Sequence, residues 1–261
     1  MDLGLKGKTA IVTGASRGIG EAIGRVLAEH GVDVCLVARS KDDLERVAAD
    51  ITAKTSRRIV THVADLSDSK APEAAVKAAV DAFGRLDILA NNAGATKRGD
   101  FFALTEEDWA AGYALKFFGA VRMTRSAWPH LRESKGAIVN IIGIGARVAA
   151  AEFTIGGSVN SALVNFTKAT ADLGQTQGVR VNAMNPGHIQ TSRLEARVQA
   201  TMKAQNISRE EAIKRDVAHL GINRFGDPRE IGDLAAYLCS PRAAFMNGSV
   251  IDIDGGQTKA L

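Results

Sequence analysis

A doubly wound α/β fold, a parallel sheet of about seven strands with helices on both faces, is predicted by three features of the sequence. Short apolar runs alternate with longer stretches of helical periodicity along the whole chain. Several of the runs are almost continuously apolar, as strands covered on both faces are. The first run also passes directly into a glycine-rich turn that opens a helical stretch, the usual context of a phosphate-binding loop.

Taken in order, the strands are expected at Thr9–Val12, Val32–Val37, Ile59–Val63, Leu86–Leu89, Ala137–Ile142, Val179–Met184 and Ser249–Ile253. Helices are expected at Ile19–His30, Lys41–Ala53, Ala71–Phe83, Glu106–Trp128, Ser158–Leu173 and Arg229–Leu238. Ser40 followed by Asp43 has the form of a capping box for the second helix. Strand–helix alternation of this kind implies right-handed β-α-β crossovers and a parallel sheet. Residues 190–225 are charge-rich and helical with no strand; they read as a lid over the carboxyl edge of the sheet, where ligands bind in such folds. With 5 prolines in 261 residues, no repeat and no linker-like tract, one domain over 1–261 is expected.

Composition narrows the function classes. Hydrophobic residues make up 46% and charged residues 24%, an ordinary globular balance that argues against disorder. The net charge of +4 is small and scattered, so nucleic-acid binding is not expected. Cys35 and Cys239 both lie in apolar stretches and read as small buried hydrophobes. They offer no metal-ligand spacing, and no metal is expected. The opening MDLGLKGKTAIVTG lacks the pattern of a secretory leader. The longest charge-free apolar stretch, near Gly136–Ala146, is too short to span a membrane. The expectation is a soluble, cytoplasmic protein.

The turn after the first strand reads TGASRGIG, residues 13–20. Gly14, Gly18 and Gly20 permit a tight turn that brings bare amides to a helix N-terminus, where those amides and the helix dipole favour a pyrophosphate. Ser16, Arg17 and Ile19 complete the loop. A carboxylate about 20 residues further on would favour NAD. Here the second strand ends instead at Ala38, Arg39 and Ser40. Two guanidinium groups, Arg17 and Arg39, without a carboxylate at that strand end suit a 2′-phosphate, hence NADP over NAD.

These residues carry a family resemblance. TGASRGIG, the Asp65–Leu66 pair after the third strand, NNAG (Asn91, Asn92, Ala93, Gly94) after the fourth, PGHIQT (Pro186–Thr191) after the sixth and the closing DIDGG (Asp252–Gly256) resemble the short-chain dehydrogenase/reductase family over essentially the whole chain. The style is that of 3-oxoacyl-carrier-protein reductases and of sugar or polyol dehydrogenases. The resemblance implies a Rossmann-type fold. It also implies that Asp65 and Leu66 frame the adenine and that Asn91 to Gly94 line the middle of the cofactor. Pro186, Gly187, Ile189 and Thr191 would hold the nicotinamide amide. Homodimers or homotetramers built on the helices Glu106–Trp128 and Ser158–Leu173 are implied too.

The chemistry of that family rests on Asn, Ser, Tyr and Lys. Carried over position by position, the serine position falls on Gly143, the tyrosine position on Gly156, the lysine position on Asn160 and the helical asparagine position on Lys116. The following SALVNFTK fixes this frame without a gap. A glycine supplies neither a proton nor a polarising hydroxyl. Lys116 is the first candidate replacement. Trp109, Tyr113, Lys116, Ala120 and Met123 share one helical stripe, and a lysine is out of pattern there. It either snorkels to water or aims its ammonium into the cofactor cleft; the family has Asn on this helix and Lys on the next, and Lys116 and Asn160 invert that order. His188, beside the expected nicotinamide site, is the second candidate. Arg147, Thr154 and Ser158 are weaker ones; a hydroxyl near a glycine turn is usually a helix cap.

Two functions are compatible with this pattern. One is an NADP-dependent oxidoreductase with a non-standard site (Lys116, His188, Asn160), acting on a small carbonyl, hydroxy or activated alkene substrate. The other is a catalytically silent relative serving as the cofactor-binding or regulatory subunit of an active paralogue in a hetero-oligomer. A non-redox lyase or hydrolase is a third, weaker reading.

Overall fold

The computed structural model describes residues 2–259. One sheet of seven parallel strands runs in the order β3-β2-β1-β4-β5-β6-β7. Its strands are β1 (Thr9–Thr13), β2 (Asp33–Ala38), β3 (Ile59–Val63), β4 (Ile88–Asn91), β5 (Ala137–Ile141), β6 (Arg180–Pro186) and β7 (Val250–Ile253). The strand order reverses between β1 and β4, and that switch point opens the crevice for a ligand at the carboxyl edge.

Alternation within the strands feeds two cores. On one face Ala10, Val12, Val34 and Leu36 pack with α1 (Gly18–Glu29), α2 (Lys41–Thr55) and α9 (Pro228–Cys239). On the other, Ile11, Cys35 and Val37 pack with α3 (Ala71–Phe83), α5 (Gly119–Ser134) and α6 (Thr154–Gln175). Burial raises the thiol pKa of Cys35 and of Cys239 to about 12, so both stay protonated and packed. The α1–α9 contact is close because Gly232 has no Cβ; one would lie 2.8 Å from Val26 Cγ2.

Four expectations are corrected by the structure. β4 lies at Ile88–Asn91 rather than Leu86–Leu89, because a polar ladder lets Asn91 sit inside the sheet: its Nδ2 donates to Asn140 Oδ1 at 2.9 Å, and Asn140 Nδ2 donates to Thr167 Oγ1 at 2.9 Å. Ser40 makes no side-chain cap on α2; its ψ is 108°, against 164° at Thr105, whose hydroxyl does cap α4 (Glu106–Gly112). The helix expected over Glu106–Trp128 is α4, a π-helical turn at Tyr113–Phe118 and then α5, so the stripe through Lys116 is not one continuous helix face. Neither Thr154 nor Ser158 caps α6: the helix already starts at Thr154, and Ser158 Oγ donates to Ile155 O at 2.9 Å.

Within residues 190–225 lie α7 (Ser192–Gln205) and α8 (Arg209–Leu220). They enclose a small core of their own, Leu194, Val198, Ala212, Ile222 and Phe225. A single parallel bridge, Ile189 to Gly226, closes the base of the excursion.

Candidate active site

The glycine turn is held from beneath by the chain after β4. Asn92 Nδ2 donates to the carbonyls of Thr13 (2.9 Å) and Gly14 (3.2 Å), and Thr13 Oγ1 accepts from the amides of Asn92 (2.9 Å) and Ala93 (3.0 Å). Gly14 (φ 65°) and Gly18 (φ 58°) take the left-handed conformation that favours glycine. A Cβ at Gly20 would strike the Gly14 carbonyl and Asn92, so the loop can fold onto the start of α1 only with glycine there. Such a cradle suits a pyrophosphate. Thr191, at the head of α7, faces it across the cleft: a Cβ at Gly18 would lie 3.1 Å from Thr191 Cγ2. A cleft of about 1330 Å³ opens beside the loop between α1 and the α7–α8 pair; Arg17, Gly18, Thr191 and Leu194 line it and Lys116 does not.

The remaining cofactor candidates divide. Arg17, Arg39 and Ser40 are exposed, and Arg39 has only a long contact with a carboxylate, 3.8 Å to Asp65. Hydrogen bonds from the Ser67 amide and hydroxyl hold the Asp65 carboxyl below the ordinary range. Ser16 and Ile19 are half-buried at the loop. Leu66 is buried in the core beneath α3 and α5. Asn91 is buried, and its Nδ2 donates to Asn140 Oδ1 and Thr124 Oγ1, so that nitrogen ties β4 to its neighbours rather than facing the crevice. Pro186 and Ile189 are buried, and Gly187 packs on the closing turn, where a Cβ would come within 2.8 Å of Asp254 Cα.

The π turn gives Lys116 its direction, and such turns are frequent at functional sites. Its stem lies over Gly94, where a Cβ would come within 2.8 Å of Lys116 Cγ. Its ammonium does not run out to solvent. Lys116 Nζ donates to Ile142 O and to Asn160 Oδ1, each at 2.6 Å. Asn160 is buried and its Nδ2 donates on to Gly143 O at 3.4 Å. Burial, with a smaller contribution from the nearby Arg193 guanidinium, lowers the Lys116 pKa from 10.5 to about 7. An ammonium has three N–H donors, and two are used, so a third is left for a ligand. Lys116 and Asn160 are thus brought together.

His188 is placed elsewhere. Nδ1–H donates to Gln257 Oε1 at 2.9 Å and Nε2 accepts from Arg197 Nη1 at 2.8 Å. Burial lowers its pKa, and the Arg197 charge adds to the effect. The neutral ring therefore ties α7 to the closing turn, and both nitrogens are engaged. Replacing His188 by alanine is expected to loosen the attachment of α7 by about 1 kcal/mol, read as faster proteolysis within 190–225, while leaving the pH profile of turnover unmoved.

Phe153 was not signalled by the sequence. Its ring lies against Gly156 and Gly145: a Cβ at Gly156 would fall within the ring's own atoms, and one at Gly145 would be 2.6 Å from Cε1. The Arg98 guanidinium covers the ring at 4.2 Å. The ring thus fills the space a side chain at position 156 would need. Gly143 has φ 125°, a conformation strained for any residue with a Cβ. Arg147 is paired with Asp252 at 3.3 Å, and Thr154 Oγ1 is buried without a partner among the described residues.

Comparison with known proteins agrees with this architecture. A family model described as enoyl-(acyl carrier protein) reductase matches residues 14–258. The oxidoreductase UcpA of Salmonella typhimurium is 35% identical over 97% of this chain and 95% of its own. The 3-oxoacyl-[acyl-carrier-protein] reductase FabG of Vibrio cholerae is 31% identical over 97% of this chain and 98% of its own. The crystal structure of L-sorbose reductase from Gluconobacter frateurii, complexed with NADPH and L-sorbose, superposes with a TM-score of 0.96 at 32% identity, covering 100% of both chains.

Proposed function

The chain belongs to the short-chain dehydrogenase/reductase family, and on that premise we propose that it is an NADP(H)-dependent oxidoreductase whose proton transfer runs through Lys116. The substrate class is a small carbonyl or hydroxy compound, or an activated alkene. The observation that carries this reading is the Lys116 ammonium, held at 2.6 Å from both Ile142 O and Asn160 Oδ1 at the edge of the cofactor crevice.

The cofactor is NADP. Gly14, Gly18 and Gly20 form the pyrophosphate cradle, and Arg17 and Arg39 offer exposed guanidinium groups for the 2′-phosphate. When bound it supplies or accepts the hydride. NADPH at about 100 times its dissociation constant should add about 2.7 kcal/mol, raising the melting midpoint by roughly 5–10 °C. NADH should give a smaller shift at the same concentration. Arg39→Asp should erase the difference; a shift that ignores the change at Arg39 would contradict the assignment.

In the reductive direction the Lys116 ammonium donates the proton of its third N–H to the substrate oxygen. The two carbonyl acceptors hold the resulting amine in place until it takes a proton from water. In the oxidative direction the neutral amine removes the hydroxyl proton. A donor with a pKa of about 7 matches neutral operating conditions in both directions. Asn160 is a positioning residue: its Oδ1 fixes the ammonium while its Nδ2 is anchored on Gly143 O. His188, with Arg197, attaches the α7 end of a lid over residues 190–225. We read the chain as assembling with copies of itself through α5 and α6, where Phe118, just before α5, and Leu173, in α6, are exposed. No helix among the described residues is long and apolar enough to cross a membrane.

One observation favours a second reading, a catalytically silent subunit that binds cofactor for an active paralogue. The Phe153 ring takes up the space beside Gly156. The two readings separate on one assay: the purified chain alone consumes NADPH with its substrate under the first, and only when mixed with the paralogue under the second.

A further inference from the structure

Several cations around Gly94 and the mouth of the crevice are compensated by carboxylates. Lys97 is paired with Asp108 at 2.7 Å, Arg98 with Glu152, Arg147 with Asp252 at 3.3 Å and Arg197 with Asp216 at 3.8 Å. Lys116 and Arg193 have no acidic partner among the described residues within ion-pair distance. Lys116 is held by two neutral oxygens, and Arg193 by one, Gly94 O at 3.2 Å. The two are also neighbours. Gly94 carries the Arg193 contact on its carbonyl and the Lys116 stem against its Cα, and the Arg193 charge is felt at the Lys116 ammonium. The exposed Arg193 guanidinium and the Lys116 ammonium repel each other here, and an anion placed between them would relieve that repulsion.

We propose that the substrate carries a carboxylate, that Arg193 of α7 receives it, and that Lys116 faces the substrate's reacting oxygen. This rests on the oxidoreductase reading for the role of Lys116 but not for the presence of an anion. The free donors favour a carboxylate over a phosphate. One guanidinium edge is left beside the Gly94 contact, and it matches a planar two-oxygen anion in a forked pair. Because Arg193 lies in the second residue of α7 and reaches across to the chain after β4, a bound carboxylate would also draw the lid onto the crevice. Arg193 is therefore a specificity-determining residue, and lid closure would follow substrate charge.

The test uses the purified full chain with and without saturating NADP⁺. The probes are 2-, 3- and 4-oxo acids of four or five carbons, each beside its methyl ester, with dihydroxyacetone phosphate as the phosphate probe. Binding is read by calorimetry, and NADPH affinity is read separately by fluorescence. At least one acid is expected to bind ten-fold or more tightly than its ester. Arg193→Leu should remove that preference, while Lys97→Ala, whose cation has its own acidic partner, should keep it. Acids and esters binding alike, or neither binding, would overturn the proposal. So would tighter binding of the phosphate probe, or an Arg193→Leu variant that loses NADPH affinity and keeps the acid preference. Failure of NADPH to bind would instead sink the oxidoreductase reading, and the acid–ester comparison without cofactor would still decide the inference.

Discussion

Replacing Lys116 by methionine is expected to lower reductive turnover by about 10²–10⁴-fold, the usual contribution of a positioned acid or base. Methionine keeps much of the stem's volume over Gly94 and removes the ammonium that reaches Ile142 O and Asn160. The loss should fall on kcat, with NADPH affinity little changed. The same substitution changes stability in a pH-dependent way. The folded pKa of Lys116 is about 7, below the ordinary 10.5 of the unfolded chain. Between these values the unfolded chain binds more protons, so wild-type stability rises with pH across that window, and the cost of burying the charge is fully present below about 7. Each tenfold change in proton affinity is worth about 1.4 kcal/mol. Lys116→Met should therefore compare best with wild type near pH 6 and lose that advantage towards pH 10. Urea melts of both proteins at the two pH values measure it; parallel stability–pH curves would contradict the buried ammonium.

The second large effect is expected at Gly156. Gly156→Tyr places a side chain where the Phe153 ring already lies. Overpacking of this kind costs about 1–3 kcal/mol, and the displaced ring also leaves its contact with Arg98. The single variant should be destabilised without gaining activity. Phe153→Ala in the same chain should recover part of the loss, giving a coupling energy of about 0.5–3 kcal/mol in a double-mutant cycle. Strict additivity would mean that the ring does not occupy the space beside Gly156. Serine at Gly143 meets a separate obstacle in its φ of 125°. Gly143 and Gly156 are thus built into the local backbone and packing, and a single substitution at either is expected to cost stability before it adds a side chain to the crevice.

Much of the fold was legible because parallel strands buried on both faces must be apolar throughout. β1, β2, β3 and β5 sit within a residue or two of where apolar runs place them. β4 was displaced for a definite reason. Its last residue, Asn91, is polar and inside the sheet, its Nδ2 donating sideways to Asn140 and Thr124, and hydropathy carries no sign of such a ladder. β6 extends past its apolar run for the same reason, since Asn185 donates to Asp252 at 2.7 Å on the neighbouring strand. The π turn at Tyr113–Phe118 is invisible to a periodicity count, because Trp109, Tyr113, Lys116, Ala120 and Met123 keep an α-helical spacing in the sequence although they do not share one helix face.

The site was partly legible. Lys116 stood out as a charge in an apolar stripe, and Asn160 followed from the frame set by the family's helix. Which way the ammonium turns depended on the glycine at 94 and on the π turn, neither of which declares itself in sequence. Arg193 was hidden among the many charges of residues 190–225; only its reach to Gly94 O, 99 residues away in the chain, distinguishes it. Phe153 was an ordinary apolar residue until the structure set its ring against two glycines.

The most direct test of the central claim is the pH dependence of kcat/KM for NADPH oxidation by the purified chain alone, measured for wild type and Lys116→Met. Wild type should turn over unaided, with reduction falling as pH rises through about 7, because the donor is the protonated ammonium. The variant should be slower and lack that limb. A limb that survives in Lys116→Met, or turnover that appears only after a paralogue is added, would contradict the assignment of Lys116 as the proton donor of a self-sufficient enzyme.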